Sequence, residues 1–163
     1  MVVNTSLPAF DLPALSGYTG VFMGGYLGAY DAAVLTNYVN GGGNVYLMAG
    51  TGTAGDEGTV WDSFLNNFGF EFGPSYNGID VTQPITSGHP IFSGIGSLYF
   101  ANGNTVNLAG GNPFASIVES SGGTGLIGVY DDTLPGEIPE PSTLGLSAAA
   151  LCGLAWMMRR KQA

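Results

Sequence analysis

Short apolar runs alternate with glycine-rich turns along the first half of the chain, and their spacing switches between the periods of strands and helices. Tyr18-Thr-Gly-Val-Phe-Met23, closed by Gly24 and Gly25, predicts a buried strand. Asp31 stands where an N-cap would, Val34, Leu35, Tyr38 and Val39 recur at helical spacing, and Asn40-Gly41-Gly42-Gly43 supplies residues that stop a helix. Asn44 to Ala49 predicts a second buried strand. Beyond the loop from Gly50 to Gly55, the side chains Val60, Trp61, Phe64, Leu65 and Phe68 make the clearest helical stripe in the chain. Gly69 ends it, and Phe70 to Phe72 begins a third strand. Strand-helix-strand-helix-strand order predicts a small parallel sheet with helical crossovers, an α/β fold.

The second half is looser. Ile79 to Val81, Ser97 to Phe100, Ala115 to Val118 and Gly125 to Tyr130 are strand candidates between Gly-, Asn- and Ser-rich turns. Tyr130-Asp-Asp-Thr-Leu-Pro-Gly-Glu-Ile138 reads as a way out of the folded domain, so the expected layout is a domain over 1–133 and a linker over 134–141. No charge occurs from Ser142 to Met158, and as a helix that run would reach about 26 Å, close to the roughly 30 Å of a bilayer core. A transmembrane helix is therefore expected over 142–158, with a basic tail over 159–163.

Charge sharpens this division. Among 163 residues there are 12 acidic side chains and three basic ones, Arg159, Arg160 and Lys161. Everything before position 159 lacks Lys and Arg, which excludes a nucleic-acid partner, because no cation is there to displace counterions from phosphates. The terminal cations place the C-terminus in the cytoplasm and the domain outside. Cys152 is single and lies in the apolar run, so no disulfide framework or cysteine zinc site can form within the chain. The first ten residues show no basic stretch leading into a long apolar core, so no export leader is visible there.

Ile138-Pro-Glu-Pro-Ser-Thr-Leu-Gly-Leu146, the apolar run and the basic cluster, in that order, closely resemble the PEP-CTERM sorting signal. The resemblance implies handling by an exosortase, a membrane protease-transferase of Gram-negative bacteria that make exopolysaccharide. Pro139, Glu140 and Pro141 would be the sorting motif, Arg159, Arg160 and Lys161 the basic stop, and the membrane and an extracellular polysaccharide the further partners. Physically, the prolines keep the backbone extended before the apolar segment, and the cations halt translocation.

Leu35-Thr-Asn-Tyr-Val-Asn-Gly-Gly-Gly-Asn-Val-Tyr-Leu47 and Ser87-Gly-His-Pro-Ile-Phe-Ser-Gly94 resemble flavodoxin-like domains related to class I glutamine amidotransferases and trehalose-utilisation proteins. That family opens with a strand ahead of the Tyr18 region, which this chain does not show, and PEP-CTERM proteins open with a signal peptide; together the two absences predict an incomplete N-terminus. The resemblance also implies a nucleophilic Cys on the turn after a strand, but Ala49-Gly50-Thr51-Gly52 holds no thiol and the lone His89 precedes Pro90. We expect no catalytic residue, no cofactor and no metal, and retain Gly50, Thr51 and Gly52 as a candidate binding loop. Gly50 to Gly55 also fits the glycine spacing of a dinucleotide loop with Glu71 about twenty residues on, a pattern that a tight turn explains better in a chain with 28 Gly. Asp56-Glu57 and Asp131-Asp132 lack the spacing of a calcium loop, and Tyr26, Tyr30, Tyr76 and Tyr99 are candidates for stacking on sugars. The expectation is an exported, membrane-anchored, non-catalytic surface protein. The alternatives are a hydrolase or amidotransferase-like enzyme with a nucleophile other than Cys, and a Gly-rich all-β adhesive module.

Overall fold

A computed structural model describes residues 10–24, 30–50 and 54–133. The chain divides after Asp131, and the elements below belong to the first unit.

A short helix α1 (Leu12–Leu15) is started by Asp11, whose side chain accepts from the Ala14 N–H. Strand β1 (Gly20–Gly24) runs parallel to β2 (Asn44–Met48), in register from Gly20 opposite Asn44 to Gly24 opposite Met48. Helix α2 (Ala32–Asn40) joins them, capped by the Asp31 carboxylate on the N–H groups of Ala33 and Val34, as the sequence predicts. Helix α3 (Ala54–Leu65) continues into a 3-10 turn over Asn66–Phe68, which Gly69 stops with φ 81°. The helices place Leu15, Leu35, Tyr38, Trp61, Phe64 and Phe68 in one core, against which Val21, Met23, Val45 and Leu47 pack from the inner face of β1 and β2. The outer face of that ladder is open: Phe22 stacks on Tyr46 at 4.5 Å and both are exposed with Met48.

The rest is antiparallel. Strand β3 (Phe70–Tyr76) pairs with β6 (Asn104–Leu108), β4 (Asp80–Pro84) with β5 (Ser97–Ala101), and β7 (Ala115–Ser121) with β8 (Thr124–Tyr130). Gly122 and Gly123, both at positive φ, make the two-residue turn between β7 and β8, where side chains rarely fit.

The flavodoxin-like parallel sheet is thus not what the chain builds. Parallel pairing stops at β1 and β2, and β3, expected as the third parallel strand, turns away to β6. The reason lies in contacts between β3 and β6: a Cβ on Gly73 would lie 1.8 Å from Thr105 Oγ1, so glycine fits this close approach, and buried Asn104 donates from Nδ2 to Gly73 O at 2.9 Å. Those contacts satisfy β3 away from β2, and the later strands, joined without helical crossovers, pair antiparallel. An all-β module is equally excluded, since α2 and α3 carry much of the core. The expected helix over 142–158 lies outside the described residues; among the described residues no helix is long and apolar enough to cross a membrane.

The tight seam between β6 and β8 gives a direct test. A Cβ on Gly125 would lie 2.1 Å from the Val106 carbonyl oxygen, a backbone atom that cannot rotate aside. Gly125→Ala should cost about 2–3 kcal/mol in urea unfolding, whereas Gly88→Ala, where a Cβ meets nothing within 4 Å, should change stability by less than about 0.5 kcal/mol.

Candidate functional site

The turn after β2 lies where open α/β units place their ligands, outside the carboxyl end of a parallel strand. Gly50 adopts φ 115°, and a Cβ there would meet Gly103 Cα at 2.6 Å, so the turn needs glycine to lie against the loop between β5 and β6. Glu57, in the first turn of α3, is completely buried, and its Oε2 accepts the Gly50 N–H. The N-terminal end of α3 favours a carboxylate at this position. Thr51 and Gly52, the remaining candidates of this loop, lie outside the described residues. Glu71 does not complete a dinucleotide site: it is exposed on β3, which runs antiparallel to β6, whereas the ribose-binding acid of that fold ends a strand parallel to the first.

A second cluster escaped sequence reasoning. Ser87, His89 and buried Glu119 bring a hydroxyl, an imidazole and a carboxylate to one loop, the residue types of a hydrolytic triad. Their hydrogen bonds give them other work. Glu119 Oε2 accepts from the Ser87 backbone N–H at 3.3 Å, Ser87 Oγ accepts from the His89 N–H at 3.2 Å, and His89 Nδ1 accepts from the Ile91 N–H at 3.2 Å. An imidazole that accepts at Nδ1 carries its proton on Nε2 when neutral, so it offers no second lone pair to a serine hydroxyl. His89 sets the 3-10 turn over Pro90–Phe92, in keeping with its position before Pro90.

The candidate tyrosines separate sharply. Tyr30 donates to Val60 O at 2.7 Å, lies 3.0 Å from Ser63 Oγ and packs on Trp61 at 4.4 Å; burial pushes its hydroxyl above the usual phenol range. It is a packing residue. Tyr26 lies outside the described residues, and Tyr76 ends β3 at the margin of exposure. Tyr99 alone stands clear of the surface, 63% exposed, on the face of the β4–β5 ladder that also carries Asp80, Thr82, Pro84, Ser97 and Ala101, all exposed. Its hydroxyl donates to Asp80 Oδ1, and that bond raises the Tyr99 pKa. The ring is thus tethered at its far end across the two strands.

Asp56 is exposed and Glu57 buried, so the first acidic pair faces two ways; among the described residues no three His, Cys, Asp or Glu side chains gather as metal ligands. Asp62, half-buried on α3, has its pKa raised by burial, opposed by the Phe72 N–H at 3.4 Å and reinforced by the nearby charge of Glu71. A carboxyl with a raised folded pKa adds stability below its unfolded pKa, and that stability is lost as pH rises through the folded value. Asp62→Asn should remove this loss while keeping the acceptor for Phe72. The expected gain at pH 7 is under about 1 kcal/mol, since solvent screens the group, and it should vanish near pH 3 in parallel thermal melts.

Compared with protein families, the chain matches the PEP-CTERM protein-sorting motif over residues 137–161, a span that includes Pro139, Glu140 and Pro141 and the cluster Arg159, Arg160 and Lys161. These positions lie outside the described residues. No curated protein matches the chain, and no solved structure does. The likeness to amidotransferase-type domains therefore gains no support, whereas residues 137–161 carry a PEP-CTERM protein-sorting motif, the mark of a protein sorted by an exosortase to the cell surface.

Proposed function

We propose that this chain is an exported surface protein whose domain binds or structures extracellular material without catalysis, with its C-terminal segment engaging the membrane until an exosortase processes it. The observation that carries the reading is the sorting motif at 137–161, which joins Pro139-Glu140-Pro141, an uncharged apolar run and the chain's only three cations in one order. The apolar run holds the segment at the bilayer, the prolines keep the preceding backbone extended, and Arg159, Arg160 and Lys161 stay on the cytoplasmic side. The domain then stands outside, in contact with extracellular polysaccharide.

A non-catalytic role is favoured by the way the polar groups are spent. Ser87, His89, Glu119 and Glu57 are tied to backbone N–H groups rather than to one another's side chains. The alternative, a hydrolase with a hydroxyl nucleophile, would need Thr51 or Ser87 to find a base.

Replacing Pro139, Glu140 and Pro141 with Ala, with 142–163 untouched, should leave full-length protein in the membrane fraction of the native host. Processing and release at the wild-type rate would contradict the reading. Turnover in ester, amide or glycoside assays that Thr51→Ala or Ser87→Ala abolishes would favour the enzymatic alternative.

A further inference from the structure

We propose that the open face of the β4–β5 ladder is a binding site for an uncharged polysaccharide chain, with the Tyr99 ring as its stacking surface and Asp80 and Thr82 as its polar contacts. This deepens the reading of the domain as an exported binding module and rests on it. The two strands offer a strip about 16 Å long, on which Asp80 faces Ala101, Thr82 faces Tyr99 and Pro84 faces Ser97. All six residues are exposed.

Tyr99 differs from an ordinary surface tyrosine in being held. Its hydroxyl is bound to Asp80 Oδ1, a charge-assisted bond that fixes the ring across the strands before any partner arrives, so less side-chain entropy is lost on binding. Oδ2 of Asp80 accepts no hydrogen bond among the described residues and is left to receive one from a partner hydroxyl. Thr82 and Ser97 add hydroxyls that donate or accept.

The chemistry of this strip selects the occupant. One aromatic ring with the small apolar surfaces of Pro84 and Ala101, set among Asp, Thr and Ser, provides too little apolar area for the core of a protein interface. A second copy would bring together two domains rich in acids and without Lys or Arg, which repel each other. Acidic polymers are repelled, since the domain carries no Lys or Arg to receive them. A neutral sugar fits: its C–H face packs on the ring, and its rim of hydroxyls meets the carboxylate and the threonine.

The test uses the full-length chain in non-ionic detergent, passed over dextran, cellulose and galactomannan, with polygalacturonate as the acidic control. The wild type should be held by at least one neutral matrix and not by the acidic one. Tyr99→Ala should weaken retention about tenfold or more, while Tyr99→Phe, which keeps the ring and loses only its tether, should weaken it only a few-fold. Because Tyr99 is exposed, all variants should unfold at the wild-type urea midpoint. Retention unchanged by Tyr99→Ala would overturn the site and leave the sorting reading intact. Retention by no neutral matrix, by the acidic matrix alone, or self-association abolished by Tyr99→Ala would overturn the choice of partner. Processing that ignores Pro139, Glu140 and Pro141 would instead contradict the sorting reading and leave the sugar site standing.

Discussion

The folded domain must handle its carboxylates without a single Lys or Arg side chain. Buried or half-buried acids are usually matched with cations, because taking a charge out of water costs several kcal/mol unless something replaces the lost hydration. Here N–H and O–H groups do this. Asp11 and Asp31 cap helices, Glu57 takes the Gly50 N–H and Glu119 the Ser87 N–H, Asp80 takes the Tyr99 hydroxyl, and the Phe72 N–H offsets only part of the burial of Asp62. Each acid thereby fixes a turn, a strand start or a ring, so the carboxylates act as local pins.

That constraint also separates the two jobs of the chain. Its Lys and Arg side chains are confined to Arg159, Arg160 and Lys161, inside the sorting motif. A domain without Lys or Arg cannot hold phosphate or acidic polymers by charge. Tyr99 and the Phe22–Tyr46 pair are among its exposed aromatic side chains.

Much of the first half was legible because its signals are local. Asp31 starts α2, Asn40 to Gly43 ends it, and Gly69 stops the turn after α3, each where the residue type predicts. The partner of β3 was not legible, since pairing depends on contacts distant in sequence. Strand β6 was hidden for a related reason: Asn104-Thr-Val-Asn-Leu108 is mostly polar, and its place follows from glycines at 73 and 125 that let its backbone approach two other strands. At the site, sequence offered four tyrosines as equals. Burial alone distinguishes Tyr30, locked onto α3, from Tyr99, and no spacing rule distinguishes Glu57 and Glu119 from solvated acids. The glycine signals of the 50–55 loop were visible, but their meaning turned on β3 lying outside the parallel ladder.

A domain held this way has no Lys or Arg to pair with its acids, so beyond hydrogen-bond range the interaction among them is repulsive. Salt should therefore act in one direction, since screening weakens repulsion and leaves short hydrogen bonds nearly untouched. The most direct measurement is the urea midpoint at pH 7 as NaCl rises from about 0.01 M to about 0.15 M, over which the Debye length falls from roughly 30 Å to 8 Å. The account predicts a midpoint that rises and then levels off. A midpoint that falls with salt would show that attractive ion pairs stabilise the fold, contrary to it.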